Sequence, residues 1–192
     1  FLLDRLMQKT DKYDLKWSDQ YMITIASALH DIGKVGSDEK ILNKPGRLTN
    51  EEFEEMKKHT LIGASMLKSL GVYQDEELVK VAYQICRWHH ERYDGKGYPD
   101  GLKGEEIPIA AQVVSVADVY DALTSERVYK KAFSHEKAME MILEMILAGE
   151  CGTFNPLASG VFAGYSRQYP GGNEESSRTA YACAEFLCGE DD

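Results

Sequence analysis

The stretch His89-His90-Glu91-Arg92-Tyr93-Asp94-Gly95-Lys96-Gly97-Tyr98-Pro99-Asp100-Gly101 decides how the chain is read. It opens with two histidines at the end of a segment in which Leu78, Val81, Ala82, Ile85 and Trp88 recur at helical spacing and are expected to face inward. It then runs into glycines and a proline, which cannot continue a helix: glycine loses too much backbone entropy and proline lacks the N–H. The histidines therefore stand where a rigid helix hands over to a shaped loop. Neighbouring side chains on a helix diverge by roughly 100°, so both imidazoles serve one region only if it holds two targets, and two metal ions are such a pair. Alone, a His-His pair reads more simply as a helix end in solvent. The other histidines change the odds.

Five histidines occur: His30, His59, His89, His90 and His135. His30 is followed at once by Asp31, then by Ile32-Gly33-Lys34, at the end of a helix with Met22, Ile25, Ala26 and Leu29 on one face and Ser18 as its expected cap. A neutral nitrogen beside a charged oxygen suits Fe, Mn or Zn better than Ca or Mg. His59 follows the capping box Thr49…Glu52 on a helix whose face is Phe53, Met56, Ala64, Leu67 and Leu70, and it sits at the edge of that stripe. An isolated histidine there would be a hydrogen-bonded core residue; its companions reverse that judgement. Gly63, one turn on, leaves room for a close neighbour. Asp118 lies in the apolar run Val113 to Tyr120, where a carboxylate is costly unless paired or metal-bound. His30, Asp31, His59, His89, His90 and Asp118 thus form a candidate ligand set. His135, in the first turn of a helix capped by Ser134, has no ligand-type neighbour and reads as surface.

The order His-Asp-x-Gly-Lys, Lys44-Pro45-Gly46, His59, His-His-Glu-Arg-x-Asp-Gly-x-Gly-Tyr-Pro, then Ala117-Asp118-Val119-Tyr120-Asp121-Ala122-Leu123-Thr124-Ser125 resembles the HD-GYP domain, a branch of the HD metal-dependent phosphohydrolases. The likeness covers roughly residues 20–160, and its motifs are specific in combination. It implies hydrolysis of cyclic di-GMP to linear pGpG and on to GMP, with two or three iron or manganese ions. It implies metal or phosphate roles for His30, Asp31, Lys34, His59, His89, His90, Asp118, Arg127 and Lys130, and a place near the ligand for Tyr98. It also implies an upstream sensor, receiver or cyclase domain, and a homodimer is compatible with it.

The chain departs from the family pattern in places. The family supplies a further histidine, and in three-metal members a glutamate, from a helix well before the His-Asp pair. No histidine precedes His30 here, and that helix is expected to lie before residue 1. Ser37 and Val128 replace common prolines, Gln112 a common arginine and Asn155 a common aspartate. None of the four is in the ligand set.

A chain of 192 residues is long enough for one domain with a real core. The helical periods and the lack of a persistent strand period make the expected fold all-α, an HD-type bundle of about six or seven helices. Residues 1–168 are the expected domain. Residues 169–192, rich in Gly, Ser and Glu at their start, read as a linker-like tail with room for one short helix. The four cysteines show neither C-x-x-C spacing nor a disulfide-dense pattern, so reduced thiols and a cytoplasmic location are expected. No leader pattern and no apolar run of membrane-spanning length are seen. A net charge of −10 disfavours nucleic-acid polymers but not a small phosphorylated ligand held by local cations.

In this reading Asp31 bridges two metals, because a carboxylate has two oxygens where imidazole has one free lone pair. Lys34 holds a phosphate oxygen or protonates the leaving group. Arg127 and Lys130 clamp the second phosphate, although a basic stretch at a helix C-terminus is also stabilised by the macrodipole. Two other functions fit the same residues less well: a catalytically silent module that binds a cyclic dinucleotide or a partner, and an HD phosphohydrolase acting on another nucleotide.

Overall fold

The computed structural model describes residues 2–126, 131–147 and 153–155. Its helices are α1 (Leu2–Lys9), α2 (Trp17–Ser27), the single turn α3 (Glu39–Leu42), α4 (Asn50–Lys57), α5 (His59–Lys68), α6 (Glu77–Trp88), α7 (Ile109–Thr124) and α8 (His135–Leu147). The described residues contain no strand, and the all-α expectation holds. The helix expected after Asn155-Pro156 and the tail lie outside the described residues.

Several helix ends form as their residues dictate. Thr49 Oγ1 accepts the Glu52 N–H at 3.3 Å while the Glu52 carboxylate accepts the Thr49 N–H at 2.7 Å, a complete capping box. Ser134 Oγ accepts the Lys137 N–H at 3.3 Å. Ser18 does not cap α2. That helix starts one residue earlier, at Trp17, and the Asp19 carboxylate takes the Lys16 N–H at 2.8 Å. The single helix expected from residue 50 to 70 is two. At the break, His59 Nδ1 donates to the Met56 carbonyl at 2.8 Å and Thr60 Oγ1 to the Lys57 carbonyl at 2.9 Å. Side chains thus take up acceptors that a continuous helix would share with the backbone.

Two apolar clusters meet along α7. One gathers Leu3, Ile23, Ala26, Leu67, Ala82, Ile85, Cys86, Ala110 and Val114 from α1, α2, α5, α6 and the first half of α7. The other joins Val116 and Leu123 of α7 to Ala138, Ile142 and Ile146 of α8 and to Phe154. The expected inward residues Ala26, Ala82 and Ile85 are buried, and Ile23 and Cys86 join them, but Ile25 is 41% exposed and Leu78 37% exposed. Helix α6 packs on α2, α5 and α7 at once, and Ala82, Ile85 and Cys86, each fully buried, fill its contacts.

Candidate metal centre

The His30-Asp31 pair follows α2 and enters a tight turn over Ile32–Gly36. That turn lies directly on α5. A Cβ on Gly33 would fall 1.9 Å from the His59 carbonyl oxygen and 2.5 Å from the Gly63 nitrogen; one on Gly63 would fall 2.3 Å from Cys86 Sγ. Two backbones, that of the turn and that of α5, therefore meet where side chains are missing, and the Cys86 thiol of α6 closes against Gly63. This contact brings Asp31, His59 and His89 to one place.

The carboxylate of Asp31 sits between two groups of donors. Its Oδ1 is 3.3 Å from His59 Nε2 and 3.8 Å from His89 Nε2. Its Oδ2 is 3.3 Å from His30 Nε2 and also meets the Lys34 ammonium. His30 Nε2 lies 3.9 Å from Asp118 Oδ1. One ligand atom each from Asp31, His59, His89 and His90 fit within 4.8 Å of one another. The six ligand candidates thus fall in one neighbourhood. Lys34 stands beside it, and Arg127 and Lys130 lie outside the described residues.

Backbone carbonyls fix the imidazoles. Nδ1 of His30 donates to the Ser27 carbonyl at 2.8 Å, that of His59 to Met56, and that of His89 to Ile85 at 2.9 Å. A carbonyl can only accept, so Nδ1 carries the hydrogen, and in the neutral rings of His59 and His89 Nε2 keeps its lone pair. His59 Nε2, His89 Nε2 and Asp31 Oδ1 are buried with no hydrogen-bond partner. Three buried acceptors facing one another are costly unless a cation lies between them. Nitrogen and carboxylate donors of this kind fit a divalent transition metal.

The electrostatics favour that state. Burial pushes His89 down to about 4 and His90 down to about 2, and lowers His59 as well. The hydrogen bond to Asp31 raises His30. Burial raises the Asp31 carboxyl, but hydrogen bonds from His30 and Lys34 outweigh it and hold the group well below the usual carboxylate range. At neutral pH the buried imidazoles are neutral and the carboxylate is charged, as ligands must be. A stability consequence follows for metal-free protein. Below the ordinary histidine value of about 6.5, the unfolded chain takes up protons that buried His59, His89 and His90 refuse. Their contribution is intact above that pH and is lost as pH falls toward 4; His30 acts in the opposite sense but is partly exposed. The melting temperature of chelator-treated protein is expected to drop between pH 7.5 and 5. A flat profile would contradict the burial of these rings.

The loop after His90 is fastened to the end of α6. Glu91, 3% exposed, accepts the N–H groups of Asp100 at 2.7 Å and Gly101 at 3.0 Å on one oxygen. The Asp100 carboxylate takes Arg87 at 2.7 and 2.8 Å and Trp88 Nε1 at 2.7 Å. A Cβ on Gly97 would fall 2.3 Å from the Arg92 nitrogen, so the loop doubles back on its own start. Tyr98 N–H bonds the His90 carbonyl at 3.2 Å, and the phenol ring stacks on His90 with centroids 4.8 Å apart. Glu91 is quoted in the motif above without a role. Its signal was a carboxylate placed directly between the histidines and the glycine run.

Two other readings change. His135 is not a surface residue; it is half-buried, with Nδ1 2.7 Å from the Tyr120 hydroxyl. The two departures Gln112 and Asn155 face each other: Asn155 Nδ2 donates to Gln112 Oε1 at 2.8 Å and to the Tyr13 hydroxyl at 2.5 Å. The amide pair occupies the place where the family pattern puts an arginine and an aspartate.

A family model described as the HD domain matches residues 5–148. The chain belongs to the HD domain family. This HD domain is 42% identical over 165 residues to a probable cyclic di-GMP phosphodiesterase of Vibrio cholerae, covering 84% of the chain and 36% of that protein. It is 46% identical over 118 residues to the cyclic di-GMP phosphodiesterase response regulator RpfG of Xanthomonas campestris, covering 62% and 30%. It is 40% identical over 131 residues to 3'3'-cGAMP-specific phosphodiesterase 2 of Vibrio cholerae, covering 68% and 24%. The chain spans about a quarter to a third of the length of these relatives. No helix among the described residues of this HD domain is long and apolar enough to cross a membrane.

Proposed function

We propose that this HD domain is a metal-dependent phosphodiesterase that hydrolyses cyclic di-GMP to pGpG or GMP in bacterial second-messenger signalling. One observation carries the reading: Asp31 Oδ1, His59 Nε2 and His89 Nε2 are buried acceptors that face one another without partners. The names of the relatives support the substrate class, cyclic dinucleotides, and divide between cyclic di-GMP and 3'3'-cGAMP.

His30, Asp31, His59, His89, His90 and Asp118 would hold the metal. The two Asp31 oxygens face different donor groups, so Asp31 would contribute to holding two or three divalent ions; iron or manganese would suit the donors. Bound divalent ions supply charge neutralisation at phosphorus and acidify water. The protein's own residues do the rest. Backbone carbonyls aim Nε2 of His30, His59 and His89 inward. The Lys34 ammonium, 38% exposed and held beside Asp31, binds a phosphate oxygen and can give a proton to the leaving oxygen. Arg127 and Lys130 clamp the second phosphate, Arg127 by a bidentate contact. Tyr98, stacked on His90, forms a wall of the ligand site. The response-regulator name of one relative supports control by an upstream receiver, sensor or cyclase domain in the cytoplasm, with homodimers as a compatible assembly.

The test is turnover of cyclic di-GMP by protein loaded anaerobically with Fe(II) or with Mn(II). Appearance of pGpG or GMP is expected, and no product at high enzyme concentration would reject the reading. Binding without turnover would point to a silent signalling module instead. Arg127→Ala is expected to raise KM by about ten-fold, the scale of one charge-assisted hydrogen bond, with metal content unchanged. Loss of metal in that variant would refute its role as a phosphate clamp.

A further inference from the structure

Phe53 and Lys57 stand one turn apart on α4, a helix that contributes nothing to the ligand set. Phe53 has an apolar ring, yet it is 43% exposed and belongs to neither core cluster. It meets Tyr98 edge to face, with centroids 6.2 Å apart. Tyr98 in turn stacks on His90. Two ring contacts therefore link Phe53 to the ligand cluster. The Lys57 ammonium lies 4.9 Å from the Phe53 centroid and 5.4 Å from the Tyr98 centroid, steadied by Glu54 at 2.6 Å. A chain of net charge −10 thus keeps a cation in an aromatic corner beside its candidate site.

Each part suits a purine. A phenyl ring offers a π face and no hydrogen-bonding group, so it stacks any base. An ammonium offers three donors and no acceptor; with one on Glu54, two remain. Guanine presents N7 and O6 as adjacent acceptors, whereas adenine presents N7 beside an N6 donor that an ammonium cannot satisfy. We infer that Phe53 and Lys57 form the base-reading edge of the site, Phe53 stacking one purine and Lys57 selecting guanine over adenine. The inference rests on the cyclic-dinucleotide reading above and adds to it the residues that set base preference.

The experiment compares wild type, Phe53→Ala, Phe53→Trp and Lys57→Met, each as the full chain loaded with Mn(II). Both equilibrium binding and hydrolysis are measured, with cyclic di-GMP and cyclic di-AMP. Phe53→Ala is expected to weaken both ligands about ten-fold, with the loss in KM rather than kcat and with metal content retained; Phe53→Trp restores it. Lys57→Met is expected to cut the preference for cyclic di-GMP over cyclic di-AMP about ten-fold, by weakening the guanine ligand alone. Wild-type KM and wild-type preference in both variants of an active enzyme would overturn the inference and leave the phosphodiesterase reading standing. If wild type binds without hydrolysis, the dissociation constants make the same comparison and only the phosphodiesterase reading fails. If wild type binds neither ligand, the inference fails too.

Discussion

Asp31→Ala is expected to strip the protein of its metal and its activity together while leaving it folded. The carboxylate is within reach of both donor sets: Oδ1 faces His59 and His89, and Oδ2 faces His30. Alanine removes the negative charge that offsets a divalent ion and leaves imidazoles aimed at an empty point. Metal stabilises the transition-state charge by several kcal/mol, and about 1.4 kcal/mol is a decade in rate, so activity should fall at least about a thousand-fold. The fold should survive. Asp31 is 30% exposed, and its ion pair with Lys34 is a partly solvated contact of small net worth. Metal analysis, turnover and circular dichroism on one preparation check all three parts. A variant that loses activity yet keeps its full metal complement would show that Asp31 is not a ligand.

Gly33→Ala should do its damage through the backbone. The added methyl would meet the His59 carbonyl oxygen at 1.9 Å, and no flexible side chain is there to give way. The turn carrying His30 and Asp31 must then lift off α5, which opens the distance between Asp31 and His59. Overpacking of this kind costs about 1–3 kcal/mol or more, and the lost alignment should weaken metal binding as well. Gly36→Ala is the internal control, since its nearest contacts are side-chain atoms of Ile62 at 3.1 and 3.2 Å, which can move. A urea midpoint and a metal content at wild-type values in Gly33→Ala would mean that the turn does not rest on α5 as described.

The cluster of candidate ligands was legible because its residue types are rare and most of their positions follow helix ends. Thr49 with Glu52, Ser134 and the glycine run after His90 marked where helices start and stop, and each signal is local. What stayed hidden depends on partners distant in sequence. The stripe on α6 is apolar on more than one side: Ala82 and Ile85 were legible as inward, but only packing against α2, α5 and α7 adds Cys86 and leaves Leu78 partly exposed. The break between α4 and α5 is made by side chains bonding nearby carbonyls, which leaves no trace in composition. Phe53 fits a helical period as well as any core residue, yet it faces Tyr98 and solvent. Arg127 and Lys130 rest on residue type and family likeness.

The Gln112–Asn155 pair limits which single substitutions the domain can absorb. Both residues are nearly enclosed, at 8% and 6% exposure, and each satisfies the other. Arginine at 112 alone would strand a cation inside the protein, and aspartate at 155 alone would strand an anion, the kind of intermediate that costs several kcal/mol. A single charged substitution at either position is therefore expected to be poorly tolerated, whereas a matched change at both leaves no charge without a partner.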